Sequence, residues 1–328
     1  MLSERSISGP GRGRERMVEF LRRNGLGYEE DIDYSYCLMD EDRVAAAGSL
    51  SGPVLKCIAV DPEYRSLGLS AQVVSALCQE AARQGHTHLF LFTKPENLPL
   101  FEGLGFFLVA SCPGAALLEN QRDGLKSYLE GLAACRRKGV SGAVVLNANP
   151  FTLGHRYLVE QAAGQVDALH LFLVGEDRSE IPAAHREALV RQGVADLPGV
   201  TVHPGTPYII SAATFPTYFL RTQGEAARAY AQLDLTIFGR RVAPALGITR
   251  RFAGEEPLSP STALYNQAML EVLPPLGVEA VILPRLELGG QPVSASRVRQ
   301  LWRQGNWRAL EELTPPDTLA YLKAHPQH

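Results

Sequence analysis

The segment Asn147-Ala148-Asn149-Pro150-Phe151-Thr152-Leu153-Gly154-His155 carries the residue types that a phosphate-handling site needs. It follows an apolar run at 143–146, which reads as a buried strand, and it opens a stretch of helical periodicity. A helix start offers unpaired backbone N–H groups and the positive end of the helix dipole to an anion. Gly154 removes a side chain where a ligand approaches the backbone. His155, on the first turn, can donate a hydrogen bond to a phosphate oxygen, and Thr152 adds a hydroxyl donor. Together they suit stabilisation of charge developing on an α-phosphate as pyrophosphate leaves. Asn149, Pro150 and Phe151 complete the turn and belong with the nucleotide-binding candidates.

A second cluster, Ser294-Ala295-Ser296-Arg297-Val298-Arg299, lies after the last predicted strand. Ser294 or Ser296 would cap a helix N-terminus. Arg297 and Arg299 present guanidinium forks that match phosphate oxygens, so they are candidates for the β- and γ-phosphates. A third cluster, Asp177 and Ser179 with Arg186 on the following helix, is placed near the substrate or nucleotide; for Arg186 a solvated helix charge is the alternative. Glu255 and Glu256 would position Mg²⁺ or ribose, or simply face solvent.

These candidates need a scaffold that brings residues 147–155 and 294–299 together. From residue 143 onward, strands at 143–146, 169–174, 200–203, 235–238, 248–252 and 279–283 alternate with helices at 154–163, 183–193, 216–232, 261–273 and 294–304. That alternation predicts a Rossmann-like parallel sheet, whose ligand crevice lies at the carboxyl ends of the strands. The first half reads differently: strands at 34–39, 43–50, 53–60, 87–93 and 106–110, and one long helix at 68–84, a mixed α+β texture. A polar helix-like stretch at 118–139 joins the two, so the division expected is 1–135 and 136–328, α/β overall.

Composition narrows the classes. With 328 residues a two-domain chain is expected. A net charge of −3 argues against a dedicated nucleic-acid binder. The five cysteines are scattered, with no C-x-x-C pair, so no metal site and a reducing compartment are expected. No apolar run is long enough to span a membrane and no signal peptide is visible, which makes the cytoplasm the expected location.

The Thr152-x-Gly154-His155 turn resembles the T/H-x-G-H signature of the nucleotidyltransferase superfamily, and residues 294–299 resemble its second signature, I-S-S-T-x-[VS]-R. The ordered series formed by N-P-F-T-L-G-H-R-Y-L-V, residues 175–186, 208–220, 238–248, 254–257, Tyr265-Asn266 and V-S-A-S-R-V-R resembles the citrate lyase ligases across nearly all of 140–324. That resemblance implies ATP and Mg²⁺ as cofactors, and acetate and the citrate lyase acyl-carrier subunit, with its CoA-derived prosthetic group, as partners. It implies attack of acetate on the α-phosphorus, giving acetyl-AMP and diphosphate, then acyl transfer to the carrier thiol with release of AMP. Thr152, Gly154 and His155 would handle the ATP phosphates; Ser296, Arg297 and Arg299 would hold the triphosphate tail. An adenylyltransferase acting on a phosphorylated cofactor precursor remains the alternative.

In the first half, Arg65-Ser66-Leu67-Gly68-Leu69-Ser70 enters the long helix and resembles the acetyl-CoA-binding signature of GCN5-related N-acetyltransferases (GNAT), with Ser70 in place of the usual Gly or Ala. Asn97–Phe106 is similar to that family's second conserved region. The resemblance implies a GNAT-like domain that would hold the prosthetic arm. A free-standing acetyltransferase with a nucleotide-sensing C-terminal half, or a non-catalytic binding module, are the competing readings. No convincing general base for an amine acceptor is evident.

Overall fold

The computed structural model of the chain describes residues 2–7, 11–175, 179–210, 215–220, 222–256 and 259–327. The chain forms two compact units: Met1–Ser127 with Phe215–Leu233, and Tyr128–Thr214 with Asp234–His328.

The first unit is built on a seven-stranded sheet: β1 (Ser3–Ile7), β2 (Tyr34–Asp40), β3 (Arg43–Ser51), β4 (Val54–Val60), β5 (Phe90–Thr93), β6 (Phe107–Cys112) and β7 (Ala115–Glu119). Their spatial order is β1-β2-β3-β4-β5-β7-β6, antiparallel except between β4 and β5. The helices are α1 (Arg12–Arg23), α2 (Leu69–Arg83) and α3 (Leu98–Gly103). Helix α2 buries Leu69, Val73, Val74, Leu77 and Ala81, the i, i+4, i+5, i+8, i+12 stripe visible in the sequence, against Leu38, Leu50 and Leu55 of the sheet. Gly48 makes that contact possible, because a Cβ there would lie 2.6 Å from Val73. Helix α4 (Gly124–Ala133) falls within the stretch expected to connect the two halves.

The second unit holds a five-stranded, all-parallel sheet: β8 (Ser141–Leu146), β9 (Ala168–Leu173), β10 (Val200–His203), β11 (Ile248–Gly254) and β12 (Glu279–Leu283), in spatial order β10-β9-β8-β11-β12. Helices α5 (Leu153–Ala163), α6 (Ala183–Gly193), α8 (Ala243–Leu246) and α9 (Pro260–Val272) fall between them in sequence, as does α7 (Gln223–Ile237), which belongs to the first unit as far as Leu233. A two-stranded ribbon, β13 (Glu287–Leu288) with β14 (Gln291–Pro292), leads into α10 (Ala295–Arg303), α11 (Trp307–Glu311) and α12 (Pro316–Ala324). Numbered within the unit, the strands run 3-2-1-4-5. Chain direction across the sheet reverses between β8 and β11, and such a switch opens a crevice at the carboxyl ends of those two strands.

The strand expected at 235–238 does not form: those residues finish α7 and enter a single π turn, Phe238–Val242. Alternation in L-D-L-T-I-F suggests a strand, but Leu233, Leu235 and Ile237 are all fully buried, and so is Asp234, which faces Arg251 and Tyr265. A helix buried on every side loses the polar face that would reveal its period. Three further elements lack a readable pattern. β1 is polar and largely exposed, α1 buries only Met17, Phe20 and Leu21, and β7 is buried on both faces.

Candidate functional site

Strand β8 ends at Leu146, and residues 147–152 turn into α5. Ala148 has φ of 50°, and the Asn149-Pro150 bond is cis. Thr152 caps α5 reciprocally: its N–H donates to His155 Nδ1 at 3.0 Å, while the His155 N–H donates to Thr152 Oγ1 at 3.3 Å. Because Nδ1 is the acceptor, the neutral imidazole carries its proton on Nε2, which makes Nε2 a donor. Desolvation in the crevice, followed by the nearby Arg285 guanidinium, pushes this half-buried histidine down to about 4, so the ring is neutral near pH 7. Phe151, fully buried, supports the ring face, with centroids 5.8 Å apart and planes 15° off parallel. Thr152 is itself fully buried, with its hydroxyl 3.0 Å from His155 Nδ1. It therefore orients the imidazole and does not reach into the crevice.

The second cluster meets the first. Ser294, not Ser296, caps α10, accepting from the Arg297 N–H at 3.2 Å. A Cβ on Gly154 would sit 2.4 Å from the carbonyl oxygen of Val293, the residue before that cap. The glycine thus admits neighbouring backbone, and through it the N-termini of α5 and α10 are seated together. Arg299 spans the same junction, donating from Nη1 to the Asn149 carbonyl at 2.5 Å and from Nη2 to the exposed Ser296 Oγ at 3.3 Å. Its Nε lies 3.2 Å from Glu180, which also pairs with Arg303. Arg297 differs: its Nη1 is buried and has no hydrogen-bond partner among the described residues. A buried cationic nitrogen without an acceptor is costly, and an anion would satisfy it.

Arg186 is buried, not solvated. It is 1% exposed and donates to the Ile181 and Val174 carbonyls and, through Nη1, to the Asn147 carbonyl at 2.7 Å and Oδ1 at 2.5 Å. It fastens the ends of β8 and β9 to the loop before α6. Asn149, 8% exposed, accepts from the Ile181 N–H at 3.2 Å and ties that loop to the same turn. Pro150 is buried beside it, and Ser179 is half-buried just ahead of α6. Asp177 lies outside the described residues.

Two side chains at this site were not singled out from the sequence. Asn147 is exposed at the carboxyl end of β8, with its amide oxygen held by Arg186. Arg285 follows the carboxyl end of β12, bonded to the Glu255 carbonyl and to the Glu256 carboxylate, and its charge bears on His155. Glu256 is accordingly an ion-pair partner. The signal for both residues is their position immediately after parallel strands. Among the described residues no three His, Cys, Asp or Glu side chains gather as a metal site, and no helix is long and apolar enough to cross a membrane.

A parallel 3-2-1-4-5 sheet, a Thr-x-Gly-His turn at its switch point and an arginine-bearing helix seated against that turn define a nucleotidyltransferase-type α/β unit. It is joined here to a second unit on a mixed sheet. Residues 141–322 match the citrate lyase ligase C-terminal domain, and residues 11–106 match the acetyltransferase (GNAT) family. The [citrate [pro-3S]-lyase] ligase of Klebsiella pneumoniae is 48% identical over 315 residues, 94% of this chain and 92% of its own. Its counterpart in Escherichia coli K12 is 42% identical over 95% of this chain and 91% of its own, and that of Haemophilus influenzae 40% over 93% of each. The chain belongs to the citrate lyase ligase family.

Proposed function

We propose that the protein is an acid–thiol ligase that uses ATP to acetylate the thiol of the CoA-derived prosthetic group on a citrate lyase acyl-carrier subunit. An acetate oxygen attacks the α-phosphorus of ATP and diphosphate leaves; the carrier thiol then attacks the acetyl carbon of acetyl-AMP and AMP leaves. Acetate is activated this way because carboxylate and thiol do not condense spontaneously in water.

The observation that carries this reading is the Arg297 Nη1, buried and unpaired among the described residues at the start of α10, which is seated through Gly154 and Val293 against the start of α5. Two helix N-termini and an unsatisfied guanidinium nitrogen suit a polyphosphate. His155 supplies the Nε2–H donor for charge building on the α-phosphate. Thr152 and Phe151 hold its ring, and Arg186 and Asn149 hold the turn that carries it. Arg297 meets the triphosphate directly, whereas Arg299 does so by exchanging its Glu180 partner for phosphate oxygen. Gly154, Pro150, Ser294 and Ser296 shape the crevice, and Ser179 is assigned to the substrate or nucleotide. Mg²⁺ arrives as the counter-ion of ATP and needs few protein ligands. Such a reaction belongs in the cytoplasm, where ATP is available.

Exchange of labelled diphosphate into ATP tests the first step. Acetate-dependent exchange, together with restored activity of a deacetylated citrate lyase, is expected. Exchange that ignores acetate and requires a phosphopantetheine-type substrate would overturn the assignment.

A further inference from the structure

Strands β4 and β5 are parallel neighbours, but they pair only at Val54–Phe90 and Leu55–Leu91. Beyond those two pairs β4 runs on to Val60 and β5 to Thr93 without bonding to each other. The strands therefore diverge toward their carboxyl ends and leave a gap in the sheet. Cys57, on the gap side of the divergence, has φ of 55°, and the register with β3 slips by one residue beside it. This is the geometry of a bulge that turns a backbone N–H out of the ladder. The N-terminus of α2, capped by the exposed Gly68, follows β4 and so lies toward the open end of the gap. A gap where the strands' N–H and C=O groups no longer pair with each other, with a helix N-terminus at its mouth, suits an extended amide-bearing arm that ends in phosphate. The acetyltransferase family match implies acyl-CoA, which has that chemistry.

The residues present do not leave room for it. Tyr218, 8% exposed, puts its hydroxyl in the gap: the O–H donates to the Phe92 carbonyl of β5 at 2.9 Å, and Cys57 of β4 lies close enough to that hydroxyl to bear on its ionisation. One side chain thus stands between the separated strands, bonded to β5 and next to Cys57 of β4. Its own segment is fastened on both sides. The Gly27 N–H donates to the Tyr218 carbonyl at 2.7 Å, and Thr217 donates to Glu29 from N at 2.6 Å and from Oγ1 at 3.0 Å. Glu29 is in turn held at 2.8 Å by Lys56, which is 2% exposed on β4. Phe215 packs edge-on against Phe92, with centroids 5.6 Å apart.

We infer that Tyr218 is a resident plug of the β4–β5 gap, so that the acetyltransferase-like unit is closed to acyl-CoA, and to any CoA-derived arm, until residues 215–220 withdraw. The unit therefore does not act as an acetyl-CoA-dependent transferase in this form. This holds whether or not the other unit adenylates acetate.

Hydrogen–deuterium exchange on the full-length protein, with and without CoA, reads the gap itself. In the wild type, CoA is expected to leave exchange across 54–60 and 88–93 unchanged. In Tyr218→Ala those peptides should exchange at least about tenfold faster, and CoA should slow them again; Tyr218→Phe, which keeps the ring and loses the hydrogen bond to Phe92, should shift the same way by less. Should Tyr218→Ala fail to fold, as judged by near-ultraviolet circular dichroism, Tyr218→Phe decides the question. The inference is overturned if CoA protects these peptides as strongly in the wild type as in the variants. It is equally overturned if CoA protects them in no folded variant.

Discussion

Replacing Gly154 by alanine tests whether the α5 and α10 N-termini are truly seated on each other. A Cβ there would stand 2.4 Å from the Val293 carbonyl oxygen, so the two backbones must part by about 0.6–1.0 Å to reach a tolerable separation. Helix propensity alone would make alanine the more stable residue, by up to about 1 kcal/mol. The obstruction is backbone, which cannot rotate aside, so the strain should reach the upper part of the overpacking range, about 2–3 kcal/mol. The difference leaves the variant less stable by about 1–2 kcal/mol, a fall in Tm of roughly 2–8 °C for a unit of this size. Activity should suffer more, because a displacement approaching 1 Å between groups that act on one phosphate chain costs about 10²-fold in rate. Differential scanning calorimetry and acetate-dependent diphosphate exchange measure the two effects. A Gly154→Ala protein that melts at or above the wild-type temperature and exchanges at the wild-type rate would refute the contact and the role built on it.

His155→Ala should lower diphosphate exchange about 10²-fold or more, as expected for losing one donor to developing charge, while melting within a few degrees of wild type; undiminished exchange would remove His155 from the chemistry. Arg285→Ala removes a positive charge that bears on His155, so the imidazole pKa should rise from about 4, a shift readable by ¹H–¹⁵N NMR titration. Arg186→Leu leaves the Asn147 and Val174 carbonyls without their donor; it should destabilise the protein by about 2 kcal/mol or more in urea unfolding and impair exchange. The buried pair His170 and His203, joined at 2.9 Å, is held down to about 4 by desolvation, with Arg137 adding at His170, and His170 and Arg191 at His203. The unfolded chain protonates these rings near 6.5 and the folded one near 4, so their contribution is complete above pH 6.5 and is lost as pH falls toward 4. Urea midpoints should drop across that window, and His170→Asn should flatten the drop.

Much of this was legible because the informative residues are also the local ones. The Thr152-to-His155 turn shows itself through a cap and a helix start, and Ser294 does the same for α10, so both ends of the site could be placed from spacing alone. What brings the ends together is not local. Val293 lies 139 positions beyond Gly154, and nothing in either segment states that a carbonyl occupies the space the glycine leaves open. Arg186 shows why residue type misleads: a helix arginine is usually solvated, yet here it serves backbone acceptors at two strand ends. The missing strand at 235–238 has a similar cause, since burial on every side erased the polar face that distinguishes period 3.6 from period 2.

The interleaving of residues 215–233 with the first unit has a practical consequence for anyone dissecting the protein. A fragment cut at residue 135 would carry the whole seven-stranded sheet but not the tyrosine bonded to β5 in the gap, and it would uncover the ring of Phe92. Such a truncation manufactures an open cleft that the intact polypeptide keeps filled. Ligand affinity measured on the isolated piece would then describe the scalpel more than the enzyme.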